Sequence, residues 1–316
     1  MYYRELFIIT MAATRTSGGI ARKNRQAIDL PRATNPAKIR AFRSSVWDYW
    51  KKGGRHTLPW RNTKDPYRIL VSEIMLQQTQ VVRVIEKYKS FLKKFPTVRA
   101  LAQASRADVL KEWSGLGYNR RGKYLHDTAK EVVEKYSGDF KEALKHPLPG
   151  VGPYTQAAVR TFAFHEPSAL IETNIRTVLI QYFFNPSKWS GRPSLMGEGK
   201  GVSDKEILVI AEKVAKGQES RTWHWALMDY GANLKKNGVR NNFRSAHYTK
   251  QSKFEGSVRQ VRGEVLRQLH QTPLSEKALE ERVSRRRLDT RKVPTALAGL
   301  QKDNLVKKEK GKWRIA

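Results

Sequence analysis

Two glutamates have surroundings that suit opposite roles. Glu73 lies in "SEIMLQQTQ" (72–80), with Ile69, Leu70, Leu76 and Gln77 three or four places away. On a helix such positions are neighbours, so the Glu73 carboxyl projects over a partly apolar surface. Desolvation raises a carboxyl pKa and favours the protonated form, as a general acid requires. Glu172 lies in "ALIETNIRTVL" (169–179), directly ahead of a helix that Thr173 or Asn174 can cap. The dipole of that helix stabilises an ionised carboxylate. One protonated and one ionised carboxyl are what cleavage of a glycosidic bond through an oxocarbenium-like transition state asks for. Each residue also has a plain reading, an ordinary surface glutamate for Glu73 and simple dipole matching for Glu172.

A third stretch, "LPGVGPYTQAAV" (148–159), places two glycines and two prolines within five residues ahead of a helical pattern. Leu148-Pro149-Gly150-Val151-Gly152 turns the backbone sharply with bare N–H groups outward. The helix that begins near Pro153 adds its positive end, and the combination suits a phosphate. The length of the turn and the placement of Leu148 and Val151 are those of a helix-hairpin-helix, which grips one DNA strand through backbone amides. A mere connection between helices is the plain alternative.

These residues need elements to hold them, and the pattern from about 36 to 232 is helical. Asp65-Pro66 is a helix start, followed by Ile69, Leu70, Ile74 and Leu76. After "LQQTQ" a second amphipathic stretch runs through Val81, Val82, Ile85, Tyr88, Leu92 and Phe95. Further helices are expected at about 105–113, 120–135, 153–164, 174–183 and 204–215, with a surface loop at 185–201. Trp223, Trp225 and Tyr230 read as packing. Residues 1–35 read as a flexible basic leader, with Met11 a second candidate start, and 233–257 as a basic linker. Over 258–316, three short helices precede a basic hairpin around Lys310-Gly311. That order resembles a winged helix-turn-helix, whose second or third helix and wing usually lie against duplex DNA. The alternative is a small helical module that docks a protein.

Composition narrows the partners. The 316 residues carry 61 Lys and Arg against 29 Asp and Glu, a formal charge of +32. That is far more than solubility requires, so a polyanion is the expected partner. Cysteine is absent, which excludes disulfides, thiolate zinc sites and iron-sulfur clusters. No run approaches the roughly 18 apolar residues of a membrane span, and a cytoplasmic location is expected, nucleoid-associated if the source is prokaryotic.

"SEIMLQQTQ" (72–80), "GLGY" (115–118), "LPGVGPYT" (148–155) and "MDYGA" (228–232) closely resemble, in order and spacing, the adenine DNA glycosylases of the helix-hairpin-helix glycosylase superfamily. The resemblance covers roughly residues 40–235. It implies a mostly α, two-lobed helix-hairpin-helix core, here followed by the small winged helix. It also implies that Glu73 protonates the purine at N7, that Asn174 holds the acidic residue at 172, and that Tyr154 orients and stabilises the charged intermediate. Tyr154 stands where bifunctional relatives carry a Schiff-base lysine, and a phenol cannot form that imine, so no strand cleavage is expected. Base extrusion leaves a hole to fill. Gln77 and Gln78 match the family's minor-groove probe, Tyr118 its intercalating wedge, and Leu148, Gly150, Val151 and Gly152 its hairpin grip.

Three departures stand out. The family has aspartate where this chain has Glu172, and one methylene moves a carboxylate by about 1.5 Å, enough to alter rate about 100-fold. The four cluster cysteines that follow "MDxGA" in the family are missing. Lys235, Lys236, Arg240, Arg244, Lys250 and Lys253 are candidates to replace the cluster loop's phosphate contacts, and no cofactor is expected. The resemblance does not extend to the usual domain that reads 8-oxoguanine opposite adenine, and a winged helix is expected in its place. The reading that follows is a monofunctional glycosylase acting as a monomer on duplex DNA, most readily on adenine mispaired with guanine or 8-oxoguanine. A thymine or uracil mismatch glycosylase and a non-catalytic DNA-binding regulator are its rivals. From the charge, affinity for duplex DNA should fall about 1000-fold between roughly 50 and 200 mM salt. Filter binding across that range is the measurement, and a flat response would rule out phosphate-dominated contact.

Overall fold

The computed structural model describes residues 35–184, 201–246, 248 and 253–316. The leader, most of the 185–201 loop and Lys250 lie outside the described residues. In chain order the helices are α1 (Pro36–Gly53), α2 (Pro66–Leu76), α3 (Val81–Lys94), α4 (Val98–Gln103), α5 (Arg106–Trp113), α6 (Arg120–Tyr136), α7 (Phe140–Ala143) and α8 (Pro153–Phe164). They continue with α9 (Thr173–Phe183), α10 (Asp204–Ala215), α11 (Ser220–Lys236), α12 (Val258–Leu269), α13 (Glu276–Ser284) and α14 (Val293–Lys302). Strands β1 (Val306–Glu309) and β2 (Lys312–Ile315) close the chain. The fold is mostly α, as expected.

The five helices anticipated from periodicity coincide with α5, α6, α8, α9 and α10 within one residue at either end. Local signals explain this. Asp65 caps α2, accepting from Tyr67 N at 2.9 Å with Pro66 at the first position. Ser203 and Glu206 form a capping box on α10. By contrast, α11 continues four residues beyond 232, carrying Lys235 and Lys236 in its last turn, where cations suit the dipole. Helix α1 was not singled out because its buried stripe is only Phe42 and Val46.

The chain divides into two compact units, each contributed by two segments. One comprises Leu58–Val159 with Gln251–Ala316. Its core takes Ile69, Leu70, Ile74 and Met75 from α2, Val84 and Phe91 from α3, Trp113 from α5, and Leu125 and Val132 from α6. The C-terminal helices pack around Val261, Val265, Leu279, Leu297 and Leu300, with Trp313 of the hairpin and Leu110 of α5 in the same cluster. Strands β1 and β2 are antiparallel, Val306 opposite Ile315 and Glu309 opposite Lys312. Lys310 and Gly311 make the turn with φ of 48° and 75°, the sense that matches strand twist.

The other unit comprises Arg160–Lys250 with the chain up to Thr57. Phe42 meets Phe183 and Trp223 edge-on, and Trp225 stacks on Phe162. Tyr230 hydrogen-bonds Tyr182. Arg43 closes the end of α10 through the carbonyls of Lys213 and Val214, at 3.0 and 2.9 Å. Asp229, 1% exposed, anchors the turn after α1 by accepting from Arg55 N and Arg55 Nε, both at 2.7 Å.

Among the described residues, one buried histidine sits in each unit. His126 is pushed down to about 4 by burial and by the Lys130 and Arg106 charges. His224 is pushed down to about 4 by burial. It bonds Ser220 O through Nδ1 and accepts from Leu170 N at Nε2, the pattern of a neutral ring. Unfolded, each would titrate near the ordinary 6.5, so the unfolded chain binds more protons between pH 4 and 6.5. Stability should therefore be full above about pH 6.5 and decline as pH falls toward 4, by up to about 3 kcal/mol per histidine. Urea midpoints at pH 7.5 and pH 5 test this, and a higher midpoint at pH 5 would contradict it.

Candidate functional site

The glycine turn forms a hairpin. Val151 N donates to Leu148 O at 3.1 Å, and the two residues make an isolated antiparallel bridge. Pro149 and Gly150 occupy the corners, with Gly150 at φ 69°, where a turn with proline first favours glycine second. Space demands glycine as well, since a Cβ there would stand 2.5 Å from Tyr124 Cβ. Thr128 Oγ1 donates to Pro149 O at 2.6 Å, pinning the turn to α6. Leu148 is buried while Gly150 and Gly152 are exposed, and α8 starts at once at Pro153. The N–H groups of a helix start are thus presented beside an exposed glycine turn, an anion-binding arrangement.

Two further loops are clamped by one side chain. Arg121, on α6 and 3% exposed, donates to the carbonyls of Ile74, Met75 and Gln77 at 2.7, 3.0 and 2.6 Å. Its other terminal nitrogen, Nη2, reaches Thr79 Oγ1 at 3.0 Å and the carbonyls of Leu116 and Gly117 at 3.2 and 3.1 Å. The loop carrying Gln77 and Gln78 and the loop carrying Tyr118 are therefore tied to a single guanidinium. Gln78 and Tyr118 have φ of 53° and 47°, a left-handed conformation that costs a non-glycine residue about 1–3 kcal/mol and concentrates at functional positions. Gln77 Nε2 donates to Thr155 Oγ1 at 3.4 Å, joining its loop to the hairpin's helix. Tyr118 also meets the C-terminal module, where Arg259 hydrogen-bonds its hydroxyl and lies over its ring, 5.3 Å from the centroid.

The two carboxylates belong to different units. Glu73 is half-buried on α2 between Ser72 and Ile74, both 1% exposed, and shares its unit with Tyr154, half-buried in the first turn of α8. Glu172 and Asn174 belong to the other unit. The expected cap is corrected here, because neither Thr173 nor Asn174 caps α9. Glu172 itself does, accepting from Asn174 N at 2.7 Å and Ile175 N at 2.8 Å through Oε1. Asp65 makes the same cap on α2, accepting from the N–H groups two and three residues on. Asn174 Nδ2 donates to the remaining Glu172 oxygen at 3.1 Å. Both oxygens act as acceptors, the behaviour of an ionised carboxylate. Lys235 Nζ donates in turn to Asn174 Oδ1 at 2.8 Å.

The segment after "MDYGA" does not fit an iron-sulfur cluster. It has no thiolate to offer, and polar packing holds it. Val202 N donates to Arg244 O at 2.8 Å and Ala246 N to Val202 O at 2.9 Å. Asn242 Oδ1 accepts from Thr177 Oγ1 at 3.0 Å, and Asn241 bonds Gln181. Two of the six proposed phosphate contacts are corrected. Arg244 is 4% exposed and points inward, and Lys235 is engaged with Asn174. The roles of Arg121, Lys235 and Arg259 in joining loops and side chains escaped the sequence reading. Lone basic residues on helices carry no signal of inward orientation in a chain this rich in them.

The model of the "HhH-GPD superfamily base excision DNA repair protein" family matches residues 71–195. An adenine DNA glycosylase of Buchnera aphidicola subsp. Baizongia pistaciae is 40% identical over 144 residues, 45% of this chain and 41% of that protein. The adenine DNA glycosylase of Mus musculus is 37% identical over 179 residues, 51% of this chain and 34% of the relative. The chain thus spans less than half the length of either. A solved thermostable thymine-DNA glycosylase is 30% identical with a TM-score of 0.51, covering 62% of this chain and 87% of that one. The chain belongs to the HhH-GPD superfamily of base excision DNA repair proteins, as its four motifs implied.

Replacing Arg121 by lysine keeps the charge but cannot span both loops, and it strands buried carbonyls. Arg121→Lys should lower the unfolding free energy by about 3 kcal/mol in urea titrations and weaken duplex binding at fixed salt. Unchanged stability would show that water replaces the guanidinium.

Proposed function

We propose that this chain is a monofunctional, cluster-free DNA glycosylase that extrudes a mispaired adenine, opposite guanine or 8-oxoguanine, and hydrolyses its N-glycosidic bond. The observation that carries the reading is the Glu172 cap, an anion held by two backbone N–H groups and the Asn174 amide. That is the group a developing sugar cation needs. Glu73 donates a proton to N7, so the C1′–N9 electron pair leaves with a neutral base. Glu172 then stabilises the cation at C1′, and water adds there while losing a proton. Tyr154 orients the intermediate and forms no imine, so the product is an intact strand with an abasic site.

The glycine hairpin would bind backbone phosphates, Gln77 and Gln78 would probe the minor groove, and Tyr118 would fill the stack behind the extruded base. The basic hairpin and helices of 258–316 would extend the contact along the duplex. A thymine- or uracil-mismatch specificity is the second reading. It is favoured by the 30% identity to a thymine-DNA glycosylase of which this chain covers 87%.

Duplexes bearing A:8-oxoguanine, A:G, T:G and U:G, each developed with and without alkali, discriminate the readings. Expected is alkali-dependent cleavage at adenine, reduced about 100-fold or more in Glu73→Gln. Cleavage confined to T:G and U:G would transfer the assignment to the second reading. Inertness toward all four would leave a DNA-binding protein without this activity.

A further inference from the structure

The contact between α9 and α11 has a consequence for the Glu172 anion. Gly231 lies on α11, and a Cβ there would stand 2.7 Å from the Asn174 carbonyl carbon. Glycine therefore lets the α11 backbone run directly against the start of α9. One turn later on the same face comes Lys235. Its amine reaches Asn174 Oδ1 at 2.8 Å, and the same amide presents Nδ2 to Glu172 Oε2 at 3.1 Å.

An asparagine side chain has one acceptor end and one donor end, and which way it points is decided by its neighbours. An ammonium group has donors only, so it takes the carbonyl end. The donor end is thereby committed to the carboxylate. Lys235 is half-buried, and burial pushes its amine down from the usual lysine range while the Glu172 charge holds it up. The neighbouring cation Arg176 is paired with Asp204 at 2.9 Å and does not compete for Glu172. Among the described residues, no carboxylate oxygen forms an ion pair with Lys235. Its desolvated charge is directed at the amide that holds Glu172.

We propose that Lys235 is a positioning residue of the glycosylase site, acting through Asn174: it fixes the amide so that its NH2 faces Glu172 and so restrains that longer carboxylate. This rests on Glu172 being the anion of the proposed reaction. The lysine does not contact the sugar or the base.

Single-turnover base release from the duplex that the wild type cleaves fastest tests this. It should be measured for Lys235→Met, Lys235→Gln, Lys235→Arg, Asn174→Ala and the Lys235→Met/Asn174→Ala double variant, with duplex affinity and urea midpoint beside it. Lys235→Met should slow release about 10- to 100-fold while affinity stays within about threefold. Lys235→Arg should recover most of the rate. In the Asn174→Ala background the Met substitution should add little, since both act on one linkage. If Lys235→Met does not fold, Lys235→Gln carries the same comparison without the charge. A wild-type rate in both variants, weaker binding at an unchanged rate, or losses that add with Asn174→Ala would each overturn the proposal. Wild-type inertness toward every duplex would instead bring down the glycosylase reading and this inference with it.

Discussion

The unit that contains the glycine hairpin depends on a buried guanidinium. Arg121 serves backbone carbonyls at 74, 75, 77, 116 and 117. Those carbonyls lie where α2 ends and in the loop that precedes α6, so they lack helical partners of their own. A buried cation is costly unless its hydrogens are used, and here the need runs both ways. The residues at positive φ, Gln78 and Tyr118, stand in the two loops it clamps. Strain of that kind persists only where the surroundings over-determine it. The Gln77 bond to Thr155 extends the clamp to the hairpin's helix, so three segments distant in sequence are joined by hydrogen bonds.

The other unit uses the opposite charge. Glu172 is both helix cap and proposed anion, and these roles are one geometry seen from two sides. Donors that satisfy a helix start also hold a carboxylate in place. Glu172 is held by the cap and by Asn174, which Lys235 contacts in turn. In a segment that carries a metal cluster in the family, polar packing around Arg244, Asn242 and Val202 provides the order.

The excess positive charge has two destinations. Much of it is solvated and suits a polyanion, as with Arg240, Arg285 and Lys310. A small part is spent inside, on Arg121, Arg244 and Lys235, where it organises backbone and amide groups. Within the hairpin-bearing unit, the C-terminal helices share a core cluster with Leu110 of α5. Through Arg259 they also touch Tyr118, the residue read as a wedge.

Short-range physics made much of this legible in the chain alone. Asp65-Pro66, the 3.6-residue periodicity and the Gly150 turn act within one helical turn, so α2, α8 and the hairpin could be placed from them. The order of the four motifs pointed to the superfamily, and the residue types of Glu73, Tyr154 and Asn174 suggested the chemistry proposed above. The cap was misassigned to Thr173 or Asn174 because small polar residues usually cap helices, and only the backbone path brought the longer glutamate side chain back over its own helix. The inward turn of Arg121, Arg244 and Lys235 was likewise beyond reach. A basic residue reads the same in sequence whether it meets water, a phosphate or a carbonyl. Which one it meets is decided by packing between segments far apart in the chain, as when Gly231 allows α11 to approach Asn174.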